Sequence, residues 1–497
     1  MTGLPNCIDD KGYYQALLTR DARFDGHVFI AVKTTGIYCR PVCKVRAPLA
    51  KNCLFYSSAT LAESHGFRPC LRCRPELAPQ VLPNWSTQDA SQILAFQARQ
   101  LIERAVRSLN SPLTVAGFSQ QLGVSERHFN RIFKQHLGVS PSQHLQTQRL
   151  LMAKQLLSDT TLPIHQISQL SGFGSQRRLN AVFVEHYKLT PSACRKGVPT
   201  VNQRANITLA YRPPYHVQSV LNFFSLRAVH GLEWVNRHND GTASLARIFQ
   251  IRVDGNSFVG WIELVFDEEA NCVNVRLSDS LLPVLPAVLQ QVRWALDLDA
   301  DCKVIDELLQ ADFPNCLGWR VPGSWDGFET AVRAILGQQV TVAAAKTLTK
   351  RLVKAFGAPV STPWSELTHA FPSPETLFNA SPDELGKLGI VKQRQKAIHA
   401  LAHALLHQSL DLSPGPHMPQ TIKALMQLPG IGDWTAQYIA MRCLRWPDAF
   451  PSGDVVIQNR LGVRGRKKPD LQATAIAQKW QPWRSYAVIR LWHGDDL

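Results

Sequence analysis

The sequence has no apolar run long enough to span a bilayer, which excludes a helical membrane protein. Its opening stretch, MTGLPNCIDDKGYY, has no basic segment followed by an apolar one. No secretory signal is therefore visible, and a cytoplasmic, reducing compartment is expected. Internal repeats and low-complexity tracts are missing too, so nothing points to large-scale disorder. What is present is a 497-residue chain, 45% hydrophobic and 19% charged, enough for sizeable cores and, by length, about three domains.

Negative charge is scarce in the first two fifths. Residues 1–83 hold 11 basic against 6 acidic residues, residues 84–200 hold 13 against 5, and the remainder 30 against 27. Most of the net charge of +16 thus sits before residue 201, which suits a polyanion partner, although basic charge also serves solubility. The sequence texture shifts along the chain. Short strands are expected at His27–Val32 and Leu54–Tyr56, a boundary at the Pro-rich stretch Pro75–Pro83, and successive helices over 88–196. The polar segment Gly197–Asn206 reads as a linker. Strands return at Leu245–Ile251 and Ser257–Phe266, and helices from about Leu282, including Phe328–Gly337 and Gln393–His407.

The cysteine count is odd, at 11, but four are patterned: Cys39, Cys43, Cys70 and Cys73 form C-x3-C, 26 residues, then C-x2-C. Two close pairs separated by a loop suit one tetrahedral Zn2+ ion, which can staple a domain of this size. On spacing alone the site could be purely structural. The flanking residues, Thr34-Thr35-Gly36-Ile37-Tyr38-Cys39-Arg40-Pro41 and Phe67-Arg68-Pro69-Cys70-Leu71-Arg72-Cys73, resemble the N-terminal domain of the Ada family. That resemblance implies that the Cys39 thiolate takes a methyl group irreversibly from a methylphosphotriester in DNA. Cys7, Cys53, Cys194, Cys272, Cys302, Cys316 and Cys443 lack paired spacing and read as ordinary thiols.

Two helix-turn-helix units follow. In the first, Ser125 would cap a second helix in which Phe129, Ile132 and Phe133 face inward and Arg127, Asn130, Arg131 and Lys134 outward. The second runs from Ile164 to Phe183, turns at Gly172-Phe173-Gly174, and exposes Gln176, Arg177, Arg178 and Asn180. The pair resembles the AraC family. Contact with promoter DNA is the functional expectation, with a helix-packing module as the plain one.

Residues 207–497 resemble the AlkA family of 3-methyladenine DNA glycosylases. The likeness rests on Leu209-Ala210-Tyr211-Arg212-Pro213-Pro214-Tyr215, on Ala331–Val340 and on Lys479–Ala487. Within it, Leu428-Pro429-Gly430-Ile431-Gly432 is a helix-hairpin-helix turn. Leu428, Gly430 and Gly432 would bring backbone amides to a DNA phosphate. Leu388-Gly389-Ile390 is a looser echo. Asp454, 22 residues past Gly432, would cap a helix, and by resemblance it is also the carboxylate that stabilises cationic sugar as the base departs. Trp434, Tyr438 and Trp492 match the family's cleft aromatics, suited to a flipped, positively charged base. Gln339 stands where the family has an apolar wedge.

The domains expected are 1–83, a small α/β zinc methyl-acceptor domain, and 84–200, an all-α double helix-turn-helix domain. A strand-rich α+β subdomain at 205–285 and an all-α helix-hairpin-helix glycosylase domain at 286–497 complete a multidomain, mainly α chain. Three absences refine the activity. No Lys occurs in Asp433–Met441, where strand-cleaving relatives carry one. No cysteine quartet for an iron–sulfur cluster follows Cys443, so no glycosylase cofactor is expected. No Pro-Cys-His-Arg motif for O6-alkylguanine repair occurs. The partners implied are double-stranded DNA, alkylated or promoter, and RNA polymerase, with no membrane and a bacterial nucleoid setting. Two rival readings are a regulator whose glycosylase half only docks DNA and an enzyme whose zinc is only structural.

Overall fold

The computed structural model describes residues 10–75 apart from 19, 21–23, 27 and 44, then 78, 90–106, 114–195, 207–237, 243–253, 256–414 and 418–493. Cys7, His27, most of Pro75–Pro83 and the Gly197–Asn206 segment lie outside the described residues. Two compact units result. One holds the chain to Ile207 with Val253–Asn256 and Pro283–Ala287. The other holds Thr208–Arg252, Ser257–Leu282 and Val288–Leu497.

In the first unit, β1 (Phe29–Val32), β2 (Ile37–Cys39), β3 (Cys53–Tyr56) and β4 (Arg68–Pro69) form a sheet in the order β3-β1-β2-β4. Strand β2 runs parallel to β4 with Tyr38 opposite Pro69. This register places Cys39 beside Cys70, and the Cys70 amide donates to the Tyr38 carbonyl at 2.9 Å. The helices that follow begin where polar caps predict. The Ser125 hydroxyl accepts from the His128 amide, Ser140 and Gln143 form a capping box ahead of Pro141, and the Ser175 hydroxyl accepts from the Arg178 amide. Phe129, Ile132 and Phe133 are fully buried, as their spacing requires.

A buried polar seam ties the sheet to these helices. The Tyr38 hydroxyl donates to Glu63 Oε1 at 2.9 Å, Thr60 Oγ1 meets His144 Nδ1 at 2.9 Å, and Arg74 donates to Asp159 at 2.7 Å. Burial pushes the Glu63 carboxyl up to about 8, against the pull of Tyr38, Thr147 and Lys154.

The second unit contains a sheet ordered β5-β9-β8-β7-β6, built from β5 (Ile207–Ala210), β6 (Glu233–Arg237), β7 (Ala243–Val253), β8 (Asn256–Asp267) and β9 (Cys272–Leu277). A helix at Val217–Arg227 interrupts this strand-rich stretch. Helices follow, and Gly327–Leu336 lies at their centre with most of its side chains buried. Its Glu329 joins a buried network: Arg247 reaches Glu233 and Glu329 at 2.9 and 2.6 Å, and Arg333 reaches the same two acids at 2.8 and 2.9 Å. Each charge has two partners, so desolvation is offset; losing one member would strand the others at a typical cost of about 3–5 kcal/mol.

Candidate active site and metal centre

The four patterned cysteines converge. Their Sγ atoms lie within 4.8 Å of one another, with Cys39, Cys43 and Cys70 buried and Cys73 half-buried. Strand β2 delivers Cys39, a turn closed by the Cys43 amide on the Arg40 carbonyl delivers Cys43, and the end of β4 delivers Cys70. The Arg40 amide points at Cys73 Sγ from 3.4 Å, and the Arg40 side chain is held by buried Asp25. Four thiols at this spacing fit a tetrahedral zinc ion. Of the remaining described cysteines, Cys194 is half-buried and Cys53, Cys272, Cys302, Cys316 and Cys443 are buried singly.

On the helix-turn-helix units, Arg127, Arg131 and Lys134 are exposed and Asn130 half-exposed, its amide donating to the Glu126 carbonyl of its own helix. Gln176, Arg177 and Arg178 are exposed on the equivalent helix, Gln176–Tyr187, while Asn180 is half-buried. Both second helices thus carry cations outward from an apolar base.

The second unit bears a cleft of about 1490 Å3 that gathers the expected glycosylase residues: Leu428, Gly430, Gly432, Trp434, Tyr438, Asp454, Trp492 and Gln339 all line it. It is larger than a typical small-molecule site of roughly 300–1,000 Å3. Leu428-Pro429-Gly430-Ile431-Gly432 turns between the helices Met418–Gln427 and Asp433–Arg442. Gly430 has a φ of 79°, and an added Cβ would lie 3.0 Å from Ala397 Cβ. Gly432 is different. It is extended, nothing lies within 4 Å of where its Cβ would be, and it caps the following helix without a side-chain acceptor. The first amides of that helix therefore face outward beside an open approach. Behind the turn, Gln338 Nε2 donates to the Gly430 carbonyl at 2.8 Å and to Thr435 Oγ1 at 3.0 Å. The looser echo at Leu388-Gly389-Ile390 is also a turn between helices, Pro382–Lys387 and Lys392–Leu406, with Gly389 at a φ of 88°.

Asp454 caps the short helix Val455–Arg460: its Oδ1 accepts from the Val456 and Ile457 amides at 2.9 and 3.1 Å. Its other contacts are with the aromatics. Trp434 Nε1 donates to Oδ2 at 2.8 Å and Trp492 Nε1 to Oδ1 at 3.3 Å. Four donors from three chain segments fix the carboxylate, half-buried, at the cleft wall. Trp434 and Tyr438 stack with centroids 5.4 Å apart, and Tyr438 lies 6.0 Å from Trp492.

Sequence reasoning did not reach the cations of this cleft. Arg227, Arg333 and Arg442 line it with Lys346. Arg227 and Arg442 both lie over the Phe223 ring, at 3.8 and 4.8 Å, and Arg442 donates to the Tyr438 hydroxyl at 2.8 Å. Burial would raise the Tyr438 phenol, but Arg442 and Arg227 hold it below its ordinary value. Burial lowers the Arg227 guanidinium to about 10. Gln339 is exposed at the rim with a left-handed φ of 54°, a strain of the size seen at functional positions, about 1–3 kcal/mol. Its neighbour Val340 is exposed as well, and Leu226, Val342, Met426, Val455 and Val456 complete an apolar rim.

Residues 12–76 match the metal binding domain of Ada, 118–197 a helix-turn-helix domain, 206–326 the AlkA N-terminal domain, and 332–484 the HhH-GPD superfamily of base excision DNA repair proteins. The "probable bifunctional transcriptional activator/DNA repair enzyme AlkA" of Mycobacterium tuberculosis is 35% identical over 97% of this chain and 96% of its own length. The DNA-3-methyladenine glycosylase 2 of Escherichia coli is 32% identical over 58% of this chain and 97% of its own. The bifunctional transcriptional activator/DNA repair enzyme Ada of Escherichia coli is 34% identical over 31% of this chain and 40% of its own. Matched end to end by the first of these and carrying both sites, the chain belongs to the family of bifunctional transcriptional activator/DNA repair enzymes that join an Ada-type metal-binding and helix-turn-helix half to an AlkA-type glycosylase half.

Proposed function

We propose that the chain repairs alkylated DNA by two chemistries and couples one of them to transcription. The observation that carries the glycosylase reading is the Asp454 carboxylate, held by four donors in a cleft walled by Trp434, Tyr438 and Trp492. An alkylated base such as 3-methyladenine, extruded from the duplex, enters between these rings while Gly430 and Gly432 hold the strand by a phosphate. As the N-glycosidic bond breaks, the base takes the bonding electrons and positive charge grows on the sugar. Asp454, already oriented, stabilises that charge, and water adds to the sugar carbon. Gln339 fills the space left in the duplex. Duplex DNA is the partner of both halves, and no resident cofactor serves the glycosylase.

In the first half, the Cys39 sulfur bonds to the methyl carbon of a methylphosphotriester as the methyl–oxygen bond breaks, leaving a phosphodiester anion. Cys39, Cys43, Cys70 and Cys73 would hold one zinc ion, which would keep their sulfurs deprotonated at neutral pH. Methylation removes one negative charge beside the phosphates, so DNA binding tightens. Arg127, Asn130, Arg131, Lys134, Gln176, Arg177 and Arg178 then meet promoter DNA, RNA polymerase is recruited, and the protein works at the nucleoid. The divisions 1–83, 84–200, 205–285 and 286–497 assign these tasks. One sample tests the reading: methylated duplex DNA is incubated with the purified chain, released bases are identified by chromatography and the protein by peptide mass mapping. Free 3-methyladenine together with one methyl group on Cys39 is expected. Methylated protein without base release would leave the regulator that only docks DNA through its second half.

A further inference from the structure

The half that carries Asp454 is almost neutral, with 30 basic against 27 acidic residues after residue 200, yet its positive charge is not evenly spread. Arg464, Arg466, Lys467 and Lys468 fall within five consecutive positions that contain no acid. These four cations exceed the whole excess of that half. All four are exposed, and none makes an ion pair among the described residues; the nearest acid in sequence is exposed Asp470. Uncompensated like charges repel each other, so their clustering calls for an anion from outside.

The segment is also built to hold them still. Val463 is fully buried and anchors the loop, its amide donating to the Gln458 carbonyl at 3.0 Å. The Arg466 amide donates to the Val463 carbonyl at 3.1 Å, and Gln472 Nε2 closes on the Lys467 carbonyl at 2.9 Å. Gly465, at a φ of 81°, turns the chain between Arg464 and Arg466, and open space surrounds it. The result is a fixed base with four exposed cationic side chains, of which Arg464 also reaches Asn459 Oδ1 at 3.5 Å.

Position decides the ligand. The loop follows the helix Val455–Arg460, whose first turn is capped by Asp454 and whose Val455 and Val456 line the cleft. Six helical residues rise about 9 Å. Phosphates recur at about 3.4 Å of axis per strand, so the loop stands roughly two to four nucleotides from a base at Asp454. We infer that the loop Arg464–Lys468 is a backbone clamp for the duplex flanking the extruded nucleotide. It binds phosphates without reading sequence, and it supplies on its side of the cleft the grip that the Gly430–Gly432 turn supplies with amides. The inference rests on the reading of the cleft as the base site.

The test uses the full-length chain with all four residues changed to Gln and a duplex carrying an abasic-site analogue. Dissociation constants are measured from low to physiological salt, alongside single-turnover release of 3-methyladenine at saturating protein. Each phosphate neutralised contributes about 0.9 to the slope of log affinity against log salt. The variant should show a slope shallower by about 2–4, at least tenfold weaker binding at low salt, and a saturated release rate within about twofold of wild type. Changing Arg464 and Arg466 to Lys should keep the wild-type slope. An unchanged slope would overturn the inference, as would a loss of affinity at constant slope. Asp454→Asn separates the two readings: it should lose rate and keep the slope, so failure of the base-site reading leaves a different signature from failure of the clamp.

Discussion

Gly430 and Gly432 are two residues apart in one turn, yet an alanine at each should do opposite things. At Gly430 the backbone is left-handed, which costs an alanine about 1–2 kcal/mol. The new methyl would also sit 3.0 Å from Ala397 Cβ and 3.4 Å from the Gln393 carbonyl, both on the helix Lys392–Leu406, whose backbone cannot rotate away. Overpacking of this kind costs about 1–3 kcal/mol, so Gly430→Ala should destabilise by roughly 2–4 kcal/mol and lower the melting temperature by roughly 5–10 °C. At Gly432 the φ is −90°, which any residue adopts, and the methyl meets nothing. The gain of up to about 1 kcal/mol through the unfolded chain is offset by a similar cost of alanine relative to glycine at this helix N-cap, so folding should change little. The methyl would instead occupy the open approach proposed for the phosphate. Losing a hydrogen bond to a charged group costs about 1.5–3 kcal/mol, so affinity for duplex DNA should fall about 10- to 100-fold. Thermal melting and DNA titration of both variants decide the matter. A Gly432→Ala variant that binds like wild type, or a Gly430→Ala variant that melts like it, would refute the reasoning.

Methylphosphotriester DNA should place a single methyl group on Cys39 without turnover; peptide mapping that finds it on half-buried Cys73 instead would reassign the acceptor. The Glu63 carboxyl, raised to about 8 in the folded chain, holds its proton more tightly there than when unfolded. Its contribution to stability is therefore complete below its ordinary value near 4.5 and is lost as pH rises through about 8, at up to about 1.4 kcal/mol per pH unit. Glu63→Gln should remove that part of the slope between pH 5 and 8, and parallel stability curves for the two proteins would count against a buried, protonated Glu63. Base release should proceed without strand cleavage, and borohydride trapping of a Schiff base at Lys346, the lysine in the cleft wall, would contradict this.

The legible parts of this chain are those where a local pattern meets a local physical need. The pairs Cys39/Cys43 and Cys70/Cys73 announce a four-sulfur site because a turn of two or three residues fixes each pair. Phe129, Ile132 and Phe133 face one way because a helix repeats every 3.6 residues. Asp454 reads as a cap because it follows Pro451-Ser452-Gly453, and the structure keeps it there. The helix Val217–Arg227 carries a signal of its own: Val217, Val220, Leu221 and Phe224 recur at helical spacing within a strand-rich stretch. Other features have no local signature. Trp434 and Trp492 lie 20 and 38 residues from Asp454, and only the fold turns their indole N–H groups onto its oxygens. Arg227 and Arg442 meet over Phe223 for the same reason. Glu63 looks like any acid on a short helix until helix Pro141–Asp159 covers it.

The central claim is that Asp454 is a catalytic carboxylate as well as a cap, and Asp454→Asn isolates the first role. Asparagine caps helices about as well as aspartate, and its side-chain oxygen can still accept from the Val456 amide, so the fold and the hairpin turn should survive. What is lost is the negative charge proposed to face the sugar and, because the amide nitrogen cannot accept, the hydrogen bond from the Trp434 indole; loss of such a charge typically costs on the order of 10²–10³ in rate. The measurement is single-turnover release of 3-methyladenine by wild type and Asp454→Asn at saturating protein, with melting temperature and DNA affinity recorded on the same samples. A rate lower by at least about 100-fold, with stability and affinity retained, is the predicted result; a folded variant that releases the base at the wild-type rate would contradict it.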